Sequence, residues 1–381
     1  VPAGAPGQPA FKSADPALDF TVPKGLGELT LELKDAFGRG GVNFGYLLTI
    51  EFAQPDFTLF LQNGEENVPR SGFALVAVSV LRRGYDGPIQ LEAKGLPSGW
   101  KTHGGFIETK GTNGVLLLEP SVGAMPSPPF SLTVSGRALE GPPLLATAEH
   151  PFLLSKEAHP AVSMIRLDSI PVALTSSAPL RLYAPPTFEL VNGVTKALPV
   201  RIVWAVDAKA PLPSVDVTIA APGGKPPPGG LVTKPAVAAK DKVELILTAP
   251  TTMPDGRHDI VLQAKAKVAG KDITVVGPLV QAQVKRPFEL TLDRTDLLKP
   301  GQTYLLKGTL KRHPDFRGDV QLKIDALPKG VSAAPIKPLP ADQTAFQIEL
   351  KVDAKAAPLK AEATFSATAT IAAMPYNHPQ Q

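Results

Sequence analysis

The sequence predicts an all-β chain built of tandem sandwich modules, and three observations carry that prediction. Apolar and polar residues alternate with a period of two over many short stretches. Leu29, Leu31 and Leu33 stand against Thr30, Glu32 and Lys34, the pattern of a strand buried on one face. The 42 prolines are roughly double the ordinary share, yet they fall between the alternating runs, where they suit turns and edge strands. Third, the chain repeats itself. Phe57-Thr58-Leu59, Gly87-Pro88-Ile89-Gln90-Leu91 and Gly95-Leu96-Pro97-Ser98-Gly99 return as Phe288-Glu289-Leu290, Gly318-Asp319-Val320-Gln321-Leu322 and Ala326-Leu327-Pro328-Lys329-Gly330. Each pair is 231 positions apart (57 to 288, 87 to 318, 96 to 327), and a constant offset over this length marks a repeated structural unit.

The 381 residues suffice for several domains with their own cores. No apolar run reaches the ~18 residues needed to cross a bilayer as a helix. With 39 basic and 35 acidic residues the net charge is only +4. The basic residues are dispersed, so a nucleic-acid partner is not expected. Cysteine is absent, which excludes disulfides, thiolate metal sites and a cysteine nucleophile. Val1 stands where a start methionine would, and the chain is read as processed or cut from something longer.

Residues 1–53 divide into a lead-in rich in Pro, Gly and Ala and three expected strands, Leu18–Val22, Glu28–Phe37 and Tyr46–Phe52. Three strands make a poor domain alone. They read as the closing strands of a β-sandwich, completed upstream or by a partner. Residues 54–152 hold the first repeat. Phe73–Leu81 is apolar at nearly every position, as expected of a strand covered on both faces. Residues 153–185 read as a structured spacer, since a structureless connection of that length is unusual in a compact protein. Residues 186–285 read as a divergent middle copy, with Pro186-Thr187-Phe188-Glu189-Leu190 echoing Pro287-Phe288-Glu289-Leu290. Its Pro222–Gly230 segment reads as an exposed loop.

Residues 286–381 form the cleanest module with its tail. Val320, Leu322 and Ile324, then Phe346, Ile348, Leu350 and Val352, alternate strictly with polar neighbours. Two antiparallel sheets closing on one core require that pattern. Seven or so strands in under about a hundred residues give an immunoglobulin-like sandwich. The fold class is therefore all-β: tandem immunoglobulin-like β-sandwiches preceded by the closing strands of another β-sandwich.

The segment from Leu81-Arg82-Arg83-Gly84-Tyr85-Asp86-Gly87-Pro88 to Gly95-Leu96-Pro97-Ser98-Gly99 resembles the immunoglobulin-like repeats of bacterial envelope proteins. Leu29–Phe52, with Gly40-Gly41 before Tyr46-Leu47-Leu48-Thr49-Ile50, is similar to the end of a bacterial pre-peptidase C-terminal-type β domain. The resemblance covers residues 54–100 and 286–331 and is weak over 186–285, which lacks the Gly-Leu-Pro turn. It implies export to the periplasm or cell surface and accessory, non-catalytic work.

The residues add no catalytic constellation to that. No Gly-x-Ser-x-Gly elbow surrounds a serine, and Ser98 is replaced by Lys329 in the second copy. The six histidines are scattered without the i+2 or i+4 spacing of zinc ligands. Glu65-Glu66, Asp293/Asp296 and Asp255 lack the alternating spacing of a calcium loop and read as solvated turn residues. No phosphate-binding or dinucleotide-binding motif occurs. No catalytic, cofactor-binding or metal-ligating residue is assigned, and no cofactor is expected.

Aromatic and apolar residues supply the candidate interaction positions. Trp100, Tyr85 and Tyr183 lie at loops or strand ends; Trp100 answers to Val331 in the last copy, an exchange typical of a packed position. Val76, Val78 and Val80 are read on the face that Leu305, Lys307 and Thr309 occupy in the last copy. On that match the first module has a stickier outer sheet, fit to be buried against residues 18–52 or a partner. The expected function is a rigid, non-catalytic scaffold that binds a protein partner or assembles with itself in an envelope or surface assembly. The alternative is an accessory carbohydrate- or substrate-binding region of a secreted hydrolase whose catalytic domain lies outside this chain.

Overall fold

The computed structural model describes residues 20–33, 38–42, 45–52, 54–125, 127–153, 164–205, 213–221, 230–234, 236–238, 241–268, 270–293, 298–356 and 364–378. Among them every regular element longer than an isolated turn is a strand, and no helix is long and apolar enough to cross a membrane. Residues 1–16 and the Pro222–Pro228 run lie outside the described residues.

The first module holds β1 (Asp56–Leu61), β2 (Glu66–Pro69), β3 (Ala74–Arg83), β4 (Ile89–Lys94), β5 (Lys101–Gly104), β6 (Phe106–Ile107), β7 (Asn113–Glu119), β8 (Phe130–Ala138), β9 (Leu145–Leu153), β10 (Met164–Leu167) and β11 (Ile170–Thr175). One layer runs β1-β3-β7-β5. The facing layer pairs β4, β8 and β9, and β9 also pairs with β1 in parallel, closing that edge. The core between them is made by Phe57, Leu59, Ile89, Leu91, Leu116 and Leu132 and their neighbours.

The second module holds β12 (Leu180–Tyr183), β13 (Thr187–Val191), β14 (Thr195–Trp204), β15 (Val215–Ile219), β16 (Val232–Lys234), β17 (Ala236–Ala238), β18 (Lys242–Thr248), β19 (Gly256–Val268) and β20 (Lys271–Lys285). Its layers are β12-β14-β18-β16 and β13-β20-β19-β15-β17. The third holds β21 (Phe288–Leu292), β22 (Thr303–Arg312), β23 (Gln321–Asp325), β24 (Val331–Ala333), β25 (Ala345–Val352), β26 (Thr364–Ile371) and β27 (Met374–Asn377). Its orders β21-β22-β25-β24 and β23-β26-β27 are the four-plus-three arrangement of a seven-strand immunoglobulin sandwich. Each module buries its own core.

Three expectations need correction in detail. Residues 164–183, read as a spacer, are shared out between the flanking modules. β10 pairs with β9 and β11 with β2 and β8, while β12 pairs with β14. The connection left over is Ser176–Pro179. Among residues 20–33, 38–42 and 45–52 no strand forms, although Leu29, Leu31, Leu33, Tyr46, Ile50 and Phe52 keep their alternation. These side chains stay exposed, Phe52 at 91%, because a strand is held by its neighbour and none is supplied here.

The third correction concerns Val76, Val78 and Val80, which face the inner core rather than the outside; Val78 is 0% exposed. Phe57 pairs with Arg82, and Phe288 with Arg312. Counting back from these arginines, Val76, Val78 and Val80 answer to Leu306, Gly308 and Leu310. The loop from Arg312 to Phe316 is one residue longer than that from Arg82 to Tyr85. The offset of 231 carried across that loop sets Val76, Val78 and Val80 on Lys307, Thr309 and Lys311, in the same row as Leu305, and a one-residue slip of this kind exchanges the strand's faces.

The repeat itself has a physical basis. Tyr85 packs on Phe57 with ring centroids 5.6 Å apart at 39°, and Phe316 packs on Phe288 at 5.8 Å and 38°. Both rings lie over the glycine two residues on, where an added Cβ would sit 2.6 Å from Tyr85 at Gly87 and 2.7 Å from Phe316 at Gly318. Glycine recurs there because the ring needs the room. At the following turn Gly95 has φ +89° and its counterpart Ala326 has φ +55°. A left-handed alanine carries a penalty of ~1–2 kcal/mol, part of which glycine returns as chain entropy. Ala326→Gly is therefore expected to stabilise the third module by about 0.5–1 kcal/mol, measured by chemical denaturation; a loss of stability would refute this account of the turn.

Candidate binding site at the junction of the first two modules

The outer face of β3 and β7 is where the first module meets the second. Phe73 and Leu117 pack against Ala220 and Val261, with Leu75, Val115, Val276 and Leu279 around them. Burying each large side chain contributes ~1.5–3 kcal/mol, so this patch helps to hold the modules together. It also explains why Phe73–Leu81 is apolar at almost every position: one face serves the module's core and the other the junction.

Two charged groupings flank the apolar patch. On one side Arg181 of β12 donates to Glu119 of β7 at 2.6 Å, and His103 of β5 meets the other oxygen of that carboxylate at 2.8 Å. Arg181 lies over Phe73 at 4.9 Å and over Tyr183 at 5.5 Å. Burial alone would raise the Glu119 carboxyl; the hydrogen bonds and charges of His103 and Arg181 outweigh it and hold the group below the ordinary value.

On the other side His258 of β19 points back at the first module. Its Nδ1 lies 2.5 Å from Oε2 of Glu108, at an angle that makes the contact an ion pair rather than a straight hydrogen bond. Its Nε2 lies 2.7 Å from the Pro254 carbonyl. Both ring nitrogens of a side chain 1% exposed therefore face acceptors, an arrangement that favours imidazolium. Burial pushes the imidazole down, but Glu108, the Pro254 carbonyl and Asp259 together raise it above 6.5. Asp259 is itself held by Arg257 at 2.8 Å, and that guanidinium lies over Phe106 at 5.1 Å.

A cavity of about 530 Å³ opens at the same junction. One wall comes from Gln62, Glu66 and Asn67 of the first module and another from Ser176 and Ser177 of the connection. Ala74, Ala178 and Val275 give it an apolar side. Glu66 is no solvated turn residue. Burial, reinforced by the neighbouring Glu65 charge, raises its carboxyl to about 7 despite a hydrogen bond from Asn63 at 2.9 Å.

The second junction is smaller. The β13–β14 turn at Asn192-Gly193-Val194 packs Val194 onto the third module's core. Glu189 meets His313 at 3.2 Å and Lys196 meets Asp315 at 3.1 Å. His313 and Asp315 are thus partners across this junction.

The sequence-derived candidates scatter. Tyr85 is buried, donating its hydroxyl to Pro88 O at 2.7 Å. Trp100 packs edge-on to Phe130 at 5.2 Å and joins the first module's core. Tyr183 alone reaches the junction, 40% exposed, between Arg181 and Arg201. The residues that build the junction were not singled out in the sequence, although Arg181, set between Leu180 and Leu182 in β12, was a usable signal. Among the described residues no three of His, Asp and Glu converge into a group able to hold a metal ion.

No family model matches the chain, and no curated protein matches it. Among solved structures it is similar to an endo-fucoidan hydrolase of glycoside hydrolase family 107, with 10% identity and a TM-score of 0.22 over 85% of this chain. It spans 43% of that hydrolase chain. It is also similar to invasin, a bacterial integrin-binding protein, with 11% identity and a TM-score of 0.18 over 84% of this chain and 58% of that one. A tetra-tandem repeat from the extending region of a large adhesion protein gives 14% identity and a TM-score of 0.19, over 86% of this chain and 72% of that one. Scores this low relate none of these proteins to the chain as a whole.

Proposed function

We propose that this protein is a non-catalytic scaffold of a bacterial envelope or surface assembly, exported to the periplasm or cell surface, that joins a protein partner through its N-terminal region. The observation that carries the reading is the stretch between Phe20 and Phe52. It has the alternation of sheet-forming strands, keeps Leu29, Leu31, Leu33, Leu47, Ile50 and Phe52 exposed, and has no sheet neighbour among the described residues. An extended segment with this alternation can add as a strand to the sheet edge of another chain. The docked modules support the scaffold part, since two junctions of buried apolar and charged contacts resist rotation between sandwiches.

The test is a chain beginning at Gln54, which retains all three cores. It is expected to melt as the full chain does, while losing the stoichiometric assembly that the full chain forms with itself or with one envelope protein, read by sedimentation and cross-linking. A full chain that sediments as a lone monomer in both settings, with the shortened chain indistinguishable from it, would overturn the reading.

A further inference from the structure

We propose that the cavity between β2, the Ser176–Pro179 connection and β20 is a binding site for the ammonium group of an amino sugar, a ligand that carries hydroxyls beside a primary amine. The site is independent of the scaffold reading, which rests on the stretch that precedes β1 in the chain.

Four features of the cavity lead there. Its volume of about 530 Å³ lies in the ~300–1,000 Å³ range of small-ligand sites, and domain junctions are where such sites concentrate. Among the described residues no Lys, Arg or His lines it, so an anionic ligand finds no counter-charge there. The ionisable group that does line it is Glu66, and Glu65 adds a second negative charge nearby. Among the described residues no cation acts to lower a carboxyl lifted to about 7 by burial, and a bound ammonium would do so. Last, the lining is two-sided. Gln62, Asn67, Ser176 and Ser177 offer amide and hydroxyl groups on one side, and Ala178 and Val275 are apolar on the other. A pyranose ring has that same character, with hydroxyls around its edge and C–H groups on its face. The Gln62 amide nitrogen is already committed to Ser79 at 3.1 Å and the Asn63 amide to Glu66, which leaves their oxygens as acceptors for ligand hydroxyls or the ammonium. A lysine side chain shares the ammonium but not the hydroxyls, and so leaves that wall unpaired.

The proposal is tested with glucosamine added to the full chain, followed by ligand-observed NMR and calorimetry. Saturable binding is expected, and glucose, the same ring without the amine, is expected to bind at least roughly tenfold more weakly. Glu66→Gln keeps the shape of the side chain and is expected to lose roughly tenfold in glucosamine affinity at about pH 7.5 with the melting temperature unchanged. Binding requires the ionised carboxylate, so affinity should rise about tenfold between about pH 5.5 and about pH 7.5 in the native chain and stay flat in Glu66→Gln. Absence of saturable binding, or equal binding by Glu66→Gln, overturns the site. Equal binding of glucose overturns the ammonium assignment, and equal binding of n-butylamine overturns the sugar.

Discussion

Raising the pH above the ordinary histidine range is expected to loosen the first module from the second. His258 has its folded-state pKa raised above 6.5, because Glu108, the Pro254 carbonyl and Asp259 outweigh burial. The groups facing the ring are the Glu108 carboxylate across the junction, the Pro254 carbonyl, and Asp259 with its Arg257 partner. A group with a raised folded pKa contributes fully below its unfolded value and loses that contribution as pH rises through the folded value. Stability of the junction should therefore be intact below about pH 6.5 and fall as pH climbs through the raised value. Glu108→Ala should remove this dependence and cost roughly 2–3 kcal/mol at low pH. That is less than the ~3–5 of a fully buried pair, because Glu108 is 29% exposed. With Glu108 gone, burial acts with less opposition and the His258 titration should move downward, which NMR reads directly. An unmoved titration, or a junction equally stable at about pH 6 and pH 8.5 in the native chain, would sink the latch.

Arg82→Ala is expected to unfold the first module at far lower temperature while leaving the others as they were. The guanidinium donates to the carbonyls of Gly111 at 2.8 Å, Tyr85 at 3.1 Å, Gly87 at 2.7 Å and Glu108 at 3.0 Å. Charged hydrogen bonds contribute ~1.5–3 kcal/mol each and are not additive, so a loss of about 3–5 kcal/mol is expected. Arg82→Lys should rescue little, since a single ammonium cannot span carbonyls that a planar fork reaches together. Arg312 plays the same part in the third module, donating to Gly318, Gln343, Leu339 and Pro340. Arg312→Ala should lower that module's transition selectively, and calorimetry resolves which transition moves. A uniform shift of every transition in both variants would mean that the arginines do not act module by module. Glu108 links the two predictions, because its backbone is held by Arg82 while its carboxylate holds His258.

What the sequence showed of this fold was what repeats or alternates. Val320, Leu322 and Ile324, and Phe346, Ile348 and Leu350, were legible as strands because each face of a sandwich has one solvent. The repeat from Phe57 was legible because Gly87 and Gly318 answer to a ring above them. Register was not legible across the loop before Phe316, where one added residue turned Val76, Val78 and Val80 from core to surface on paper. The strands at 164–183 looked like a spacer because β11, in their middle, finds its partners in β2 and β8, which are distant in sequence. The junction was harder still. His258, Glu108, Arg181 and Glu119 meet only after two modules have folded and docked, and no local spacing encodes that meeting.

The brevity of the connections has a mechanical meaning. β11 ends at Thr175 and β12 begins at Leu180; β20 ends at Lys285 and β21 begins at Phe288. Extended backbone reaches at most about 3.3–3.6 Å per residue, so breaking either junction under tension releases little length. A load applied at one end reaches the other before any sandwich has to unravel, and the chain behaves as a stay without slack.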